Sequence, residues 1–384
     1  MIQFSKQRWM LGLLLSGFLI GCTSEKEQPL VEIPEVEPTS VPEEANDPIA
    51  KTPEDEESVI PPPPVSPPPL PELKKPALPP LPPSWKLVST WKQPTFVSDL
   101  EFFPDSERFL SCGGSAEIYL WNRNEEDPES TPSPLEGDFS SLAISPNSEE
   151  AYLIQNDLAK SRSHIIHWKP KMVLPWLEGY NGQISALSIH PQGRWLATGA
   201  LNSLVEVWDL EVQTKPPRSI PLRGHEGPIH GVSFSPSGNY LASGSGDQKV
   251  AVWDWQSEKV RHVFRGLQKW AGPVAFSSDD KQLASGGGEI LLRLWNLSTM
   301  TPEAQWVGND QSITALAFSP KQPWLAVGGG DGIVRVFDTT TKQPINELKH
   351  HTDYVNALSF SPDGKWLLSG SNDQQICCWQ VPEK

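Results

Sequence analysis

Residues 224–254 read GHEGPIHGVSFSPSGNYLASGSGDQKVAVWD. Apolar Val232 and Phe234 alternate with polar neighbours, a Ser-Pro-Ser-Gly turn follows, and Tyr240 to Ser243 opens a second run. A Gly-rich turn leads into a third run that ends at Trp253-Asp254. Alternation with period two, broken by turn residues at short intervals, describes antiparallel strands joined by hairpins.

The stretch is one copy of a repeat. Strand-ending aromatics recur at Trp121, Trp168, Trp208, Trp253, Trp295, Phe337 and Trp379, at intervals of 47, 40, 45, 42, 42 and 42 residues. Working outward from Phe234, the same place holds Phe102, Ile144, Ile189, Phe276, Phe318 and Phe360. Two residues earlier stand Leu100, Leu142, Leu187, Val232, Val274, Leu316 and Leu358, the same face of a buried strand. Three earlier again stand Val97, Phe139, Ile184, Ile229, Ala271, Ile313 and Val355. The odd step flips the parity, so each first strand is expected to hold a β-bulge. Internal self-similarity of this length decides the architecture before any local reading does.

Period and the Trp-Asp or Trp-Asn ending together resemble the WD-repeat family over residues 85–384. The resemblance implies an all-β fold, a seven-bladed β-propeller. Only Val381 to Lys384 follow the third strand of the seventh blade, which closes at Trp379-Gln380, so residues 85–91 are expected to supply its fourth strand. Closure of that kind leaves no open sheet edge.

In the family a turn aspartate, a histidine, a serine and the tryptophan join in a hydrogen-bonded set within one blade. The matching residues are His225, Ser243, Asp247 and Trp253 in blade four, and His351, Ser369, Asp373 and Trp379 in blade seven, where His350 replaces the usual glycine. Elsewhere the pattern departs. Tyr180, Leu267 and Asn309 stand at the histidine position, Asn202, Glu289 and Arg162 at the aspartate position, and Cys112 is expected in place of the blade-one serine. A His/Ser/Asp set invites a catalytic reading, but a buried serine without an oxyanion hole does not perform acyl transfer. His164 and His167 lie three apart on a strand and so face opposite sides, which argues against a shared metal. No nucleotide loop, metal motif or nucleophile elbow is present, and no cofactor is expected.

Two further rows bear on binding. The inner positions Ser98, Ser140, Ser185, His230, Gly272, Thr314 and Asn356 are mostly small and neutral, not the converging carboxylates of a propeller hydrolase or lyase. Two residues before them stand Phe96, Asp138, Gln183, Pro228, Trp270, Ser312 and Tyr354, expected on the narrow face that family members use for partners. Large aromatics are the usual anchors of an interface. The expected contact set is Phe96, His230, Trp270 and Tyr354, with Leu201 and Asn372 from the turns beside them. The other reading is that each ring packs on its own loop.

The first residues form an export signal. Lys6 and Arg8 precede an apolar run from Met10 to Ile20, too short to span a bilayer. Leu19-Ile20-Gly21-Cys22 resembles the lipobox of bacterial lipoproteins, which implies a signal peptide over 1–21 and lipidation of Cys22. Thr23, not Asp, follows the cysteine; by the enterobacterial sorting pattern this favours the outer membrane, facing the periplasm, in a Gram-negative host. Between Thr23 and Pro83 fall 19 prolines in 61 residues, a composition that favours extended, unfolded chain. Residues 22–84 therefore read as a disordered linker, a spacer of roughly 190 Å at full extension or else a docking peptide for a proline-reading domain.

Charge narrows the partners. A formal net charge of −16, with no basic run beyond Lys74-Lys75, argues against nucleic acid. Cys112, Cys377 and Cys378 leave an odd thiol, and their expected role is as small buried groups. The expectation is a membrane-tethered, non-catalytic scaffold that binds a protein in the cell envelope. The alternative is a propeller enzyme or carbohydrate binder that uses the channel mouth.

Overall fold

A computed structural model describes residues 84–146, 149–212 and 217–383. The expected signal segment, Cys22 and the proline-rich segment lie outside the described residues. Among the described residues the strands form seven four-stranded antiparallel sheets arranged as a propeller. Blade four shows the plan: Ile229–Phe234, Leu241–Ser245, Val250–Asp254 and Lys259–Phe264 follow one another by hairpins. The first strand of each blade packs on that of the next, and the seventh on the first, so the ring is closed.

Closure uses the expected device. Lys86–Lys92 pairs antiparallel with Gln375–Gln380 and completes the sheet begun by Val355–Phe360 and Trp366–Ser371. Its side chains join three blades. Trp91 packs edge-on to Phe109 of blade one at 5.3 Å between centroids, while Trp85, just before the strand, lies 5.6 Å from Trp324 of blade six.

A four-stranded sheet with two apolar faces needs cover on both, and the neighbouring blades supply it. Val250, Val252 and Phe264 of blade four share one buried cluster with Ala271, Val274, Phe276 and Trp295 of blade five. Large side chains buried this way each contribute about 1.5–3 kcal/mol.

All seven first strands carry the expected bulge, between Ile229 and Gly231 in blade four and at the matching place in the rest. The bulges also tie blades together. Thr314 Oγ1 donates to the Val355 carbonyl at 2.5 Å and Asn356 Nδ2 to the Val97 carbonyl at 2.8 Å, each reaching the next blade's anchor residue. Ser185 Oγ does the same to the Ile229 carbonyl. Blade two is the irregular one. Its fourth strand, Met172–Asn181, runs ten residues and shifts register twice against the third.

The closing strand yields a direct expectation. Removing residues 85–92 exposes the edge at Gln375–Gln380 and empties the site of Trp91; a buried tryptophan alone is worth about 3–5 kcal/mol. Thermal unfolding followed by circular dichroism will show a sharply lowered midpoint. Removing residues 30–80 will leave it nearly unchanged.

Candidate functional site

In blade four, His225 Nδ1 lies 2.8 Å from Asp247 Oδ2, and its Nε2 lies 2.8 Å from Ser243 Oγ. Trp253 Nε1 donates to the same Ser243 oxygen at 2.7 Å. The indole nitrogen only donates, so the serine oxygen accepts there and its own proton points to the imidazole. Asp247 also accepts the Glu226 and Lys249 N–H groups, which folds the turn around it. Blade seven repeats the set: His351 to Asp373 at 3.0 Å, His351 to Ser369 at 2.8 Å, and Trp379 to Ser369 at 3.0 Å. Burial works against the Asp373 charge, but the His351 imidazole and the Thr352 and Gln375 N–H groups outweigh it and hold the carboxyl at about 2. Ser243 and Ser369 are both fully shielded from solvent. A nucleophile must be reachable, so these sets stiffen the blades.

The remaining blades replace the set by coherent substitutes. In blade three Tyr180 donates to Glu206 at 2.5 Å, and Trp208 finds Thr198 Oγ1 at 2.9 Å. In blade five Glu289 forms a buried ion pair with Arg293, whose guanidinium also reaches the Gly266 carbonyl beside Leu267. In blade six Asn309 donates to Asp331 at 2.7 Å, and Phe337, which has no N–H to place, shares a buried cluster with Val327 at the serine place. Blade two keeps Trp168 but sets Leu153 at the serine place, and the buried Trp168 Nε1 has no partner. Arg162 opens the third strand of that blade and is exposed.

Blade one corrects one reading. The partner of Trp121 is Ser111, at 2.8 Å, and not Cys112; Ser111 in turn donates to Gln93 at 2.6 Å. Pairing of Phe109 with Trp121 sets Ser111 at the serine place, while a register shift pinches the hairpin at Gly113 and Ser115. Cys112 lies opposite Asp99 on the first strand instead. It is free and buried, as are Cys377 and Cys378. These two point to opposite faces, into the clusters shared with blades six and one respectively.

The bulges turn their side chains to the centre, where Ser98, Ser140, Ser185, His230, Thr314 and Asn356 line a cavity of about 260 Å³ with Asp99. In blade five it is Pro273, not Gly272, that lines it.

Above this ring lie the aromatics, each half-buried. Trp270 rests on glycine: a Cβ on Gly288 would fall 2.2 Å from its ring and one on Gly272 2.5 Å away. Phe96 rests on Gly114 in the same way, and Tyr354 on Gly330 of the preceding blade. Trp270 and His230 meet at 5.1 Å, and burial pushes the His230 imidazole below its ordinary value. Tyr354 donates to Gln311 at 2.9 Å, while the Asn372 N–H bonds the Tyr354 carbonyl and its side chain accepts from Asn356.

The structure thus joins His230 to Trp270 and Asn372 to Tyr354. Phe96 lies over the turn of its own blade, and the Leu201 N–H bonds the Gln183 carbonyl of its own blade. Sequence reasoning missed the glycine floors, although glycine at the end of the second strand in blades one, five and six was the available signal. His167 contacts Glu150 at 2.9 Å and stacks on Tyr152. Among the described residues no group of His, Cys, Asp and Glu side chains is placed to hold a metal.

Fold, bulges and Trp–Ser–His–Asp sets define a seven-bladed repeat propeller with a built channel mouth. Residues 183–384, more than half of the chain, match the family described as "IFT122 first beta-propeller", and residues 85–122 match "WD domain, G-beta repeat". The chain belongs to the WD-repeat β-propeller family. It is similar to the WD repeat-containing protein AAC3 of Dictyostelium discoideum, 27% identical over 124 residues, covering 29% of this chain and 24% of that protein. The two family matches leave 123–182 between them, the span that holds the irregular blade two.

His225→Ala or Asp247→Ala strands a buried polar partner and will cost about 1–3 kcal/mol in urea unfolding. Trp168→Phe removes an indole N–H that already lacks a partner, so the same measurement will show little loss or a small gain.

Proposed function

We propose that this chain is a non-catalytic scaffold tethered to a bacterial membrane, which presents the channel-mouth face of its propeller to a protein partner in the cell envelope. A WD-repeat propeller is in general a platform for protein interaction. The observation that carries the assignment of a face is the set of half-exposed rings laid on glycine. Phe96, Trp270 and Tyr354 are each supported from below and partly open to solvent, so they offer flat apolar area at little entropic cost. His230, Leu201 and Asn372 complete the proposed surface.

Tethering is the second half of the proposal. It rests on the Leu19-Ile20-Gly21-Cys22 box, with the proline-rich segment holding the propeller off the membrane. Several acyl chains on Cys22 give stable anchoring where one chain is marginal. In a Gram-negative host Thr23 favours the outer membrane, with the propeller in the periplasm.

Two experiments separate these halves. Cys22→Ala will move the protein from the detergent phase to the aqueous phase on partitioning; retention in the detergent phase would place the anchor elsewhere. Trp270→Ala combined with Tyr354→Ala will keep the circular dichroism spectrum and lose the partners recovered by crosslinking in the native envelope. Recovery of the same partners at the same yield would remove the proposed face.

A further inference from the structure

The first strand of blade one, Val97–Phe102, carries two carboxylates, Asp99 and Glu101, where the other first strands carry small uncharged residues. Two residues apart on a strand, they share a face, and both reach into the seam with blade two. Asp99 Oδ2 accepts the Ser141 hydroxyl and the Leu142 N–H, each at 2.9 Å, while Oδ1 accepts its neighbour Leu100 N–H at 2.8 Å. Glu101 Oε2 accepts the Ile144 N–H at 2.8 Å.

Two other seams make the last of these bonds with a serine. Ser359 Oγ accepts the Phe102 N–H at the seam of blades seven and one, and Ser188 Oγ accepts the Phe234 N–H at the seam of blades three and four. Glu101 does the same work with a group that can ionise.

Among the described residues no cation answers the pair. Val97–Phe102 packs on Arg108–Gly113, Asp138–Ile144, Val355–Phe360 and Trp366–Ser371. The last two strands hold no titratable side chain. Asp138–Ile144 contributes only Asp138, whose carboxyl is itself raised by burial. Arg108–Gly113 contributes Cys112, opposite Asp99, and Arg108, which is engaged by Asp105 at 2.6 Å and Glu149 at 2.7 Å. Across the cavity stands His230, lowered by its own burial.

We propose that the seam between blades one and two is a pH-gated joint, closed while Glu101 keeps its proton and loosened when it ionises. Each carboxyl retains some contact with water, yet the protein packed around it removes more solvation than the hydrogen bonds restore. Loss of solvation lifts Asp99 from 3.8 to about 6 against its three hydrogen bonds. The same loss, against the Ile144 bond and reinforced by the Asp99 charge, lifts Glu101 from 4.5 to about 8.

A carboxyl raised by folding holds its proton more tightly folded than unfolded. Its contribution is complete below the unfolded value and is lost as pH climbs through the folded one. The joint therefore weakens from the weakly acidic range up to about 8, the opposite sense to a paired carboxylate such as Asp373. The strand whose hold changes is the one that follows Phe96, so the joint lies next to the proposed partner face. Its test needs no partner.

The molecule contains its own control. Amide hydrogen exchange, corrected for the intrinsic effect of pH, is measured at Leu142 and Ile144 and at Phe102 and Phe234 between about pH 5.5 and about pH 8.5. Opening at Leu142 and Ile144 will grow by up to about tenfold per pH unit, the limit for one released proton, while Phe102 and Phe234 stay level. Glu101→Gln keeps an acceptor for Ile144 without a charge, and Glu101→Ser copies the seams of Ser188 and Ser359; either variant will flatten the slope at Ile144. The same slope in wild type and in whichever variant folds, or an equal slope at all four amides, would overturn the proposal.

Discussion

The antiparallel ladder between Lys86–Lys92 and Gln375–Gln380 joins the beginning of the repeat array to its end, and each blade depends on it. A blade's sheet is apolar on both faces, so it is stable only when flanked. Seven such sheets in a row would leave one apolar face bare at either end, and closing the ring removes both. The tryptophans flanking this ladder show how closure is held. Trp91 is buried among Phe109 and Trp121 of blade one, and Trp85 between Trp324 and Phe360, so the strand grips the blades on both sides of its own.

Within blades, polar and apolar solutions change as sets. Where a tryptophan ends the third strand, a hydroxyl usually receives its N–H: Ser111, Thr198, Ser243, Ser285 or Ser369. Where phenylalanine stands, in blade six, Val327 takes the serine place and packs in the same buried cluster. A buried polar group is costly alone and cheap when paired, so donor and acceptor are kept or lost together. Trp168 is the exception, and it belongs to blade two, which also has the longest fourth strand and lies between the two spans matched by the family.

The channel-mouth face gains its character from a different constraint. A bulge in every first strand rotates one side chain toward the centre, which produces a ring of hydroxyls, one imidazole, one amide and, in blade five, a proline. The residue two before it then sits at the rim, and glycine in the adjoining turns lets an aromatic ring lie flat there. Each ring is packed below and open above.

Blade number, strand order, the bulge and the closing strand were all legible in the sequence. Each follows from a pattern that is local or recurs in every repeat: aromatic spacing, two-residue alternation and its change of parity at Val97, Ile229 and Val355. The histidine, serine and aspartate of blades four and seven were legible for the same reason, since a single blade carries their relative positions. What crosses from blade to blade was not. Ser111 could be told from Cys112 only by the pairing of Phe109 with Trp121, because adjacent strand residues point to opposite faces and composition does not say which. The burial of Asp99 and Glu101 depends on Ser141, Leu142 and Ile144, more than forty residues away, which only the folded ring brings to them. Desolvation raises both carboxyls, with no facing cation among the described residues, and these are properties of the three-dimensional surroundings that no local pattern encodes.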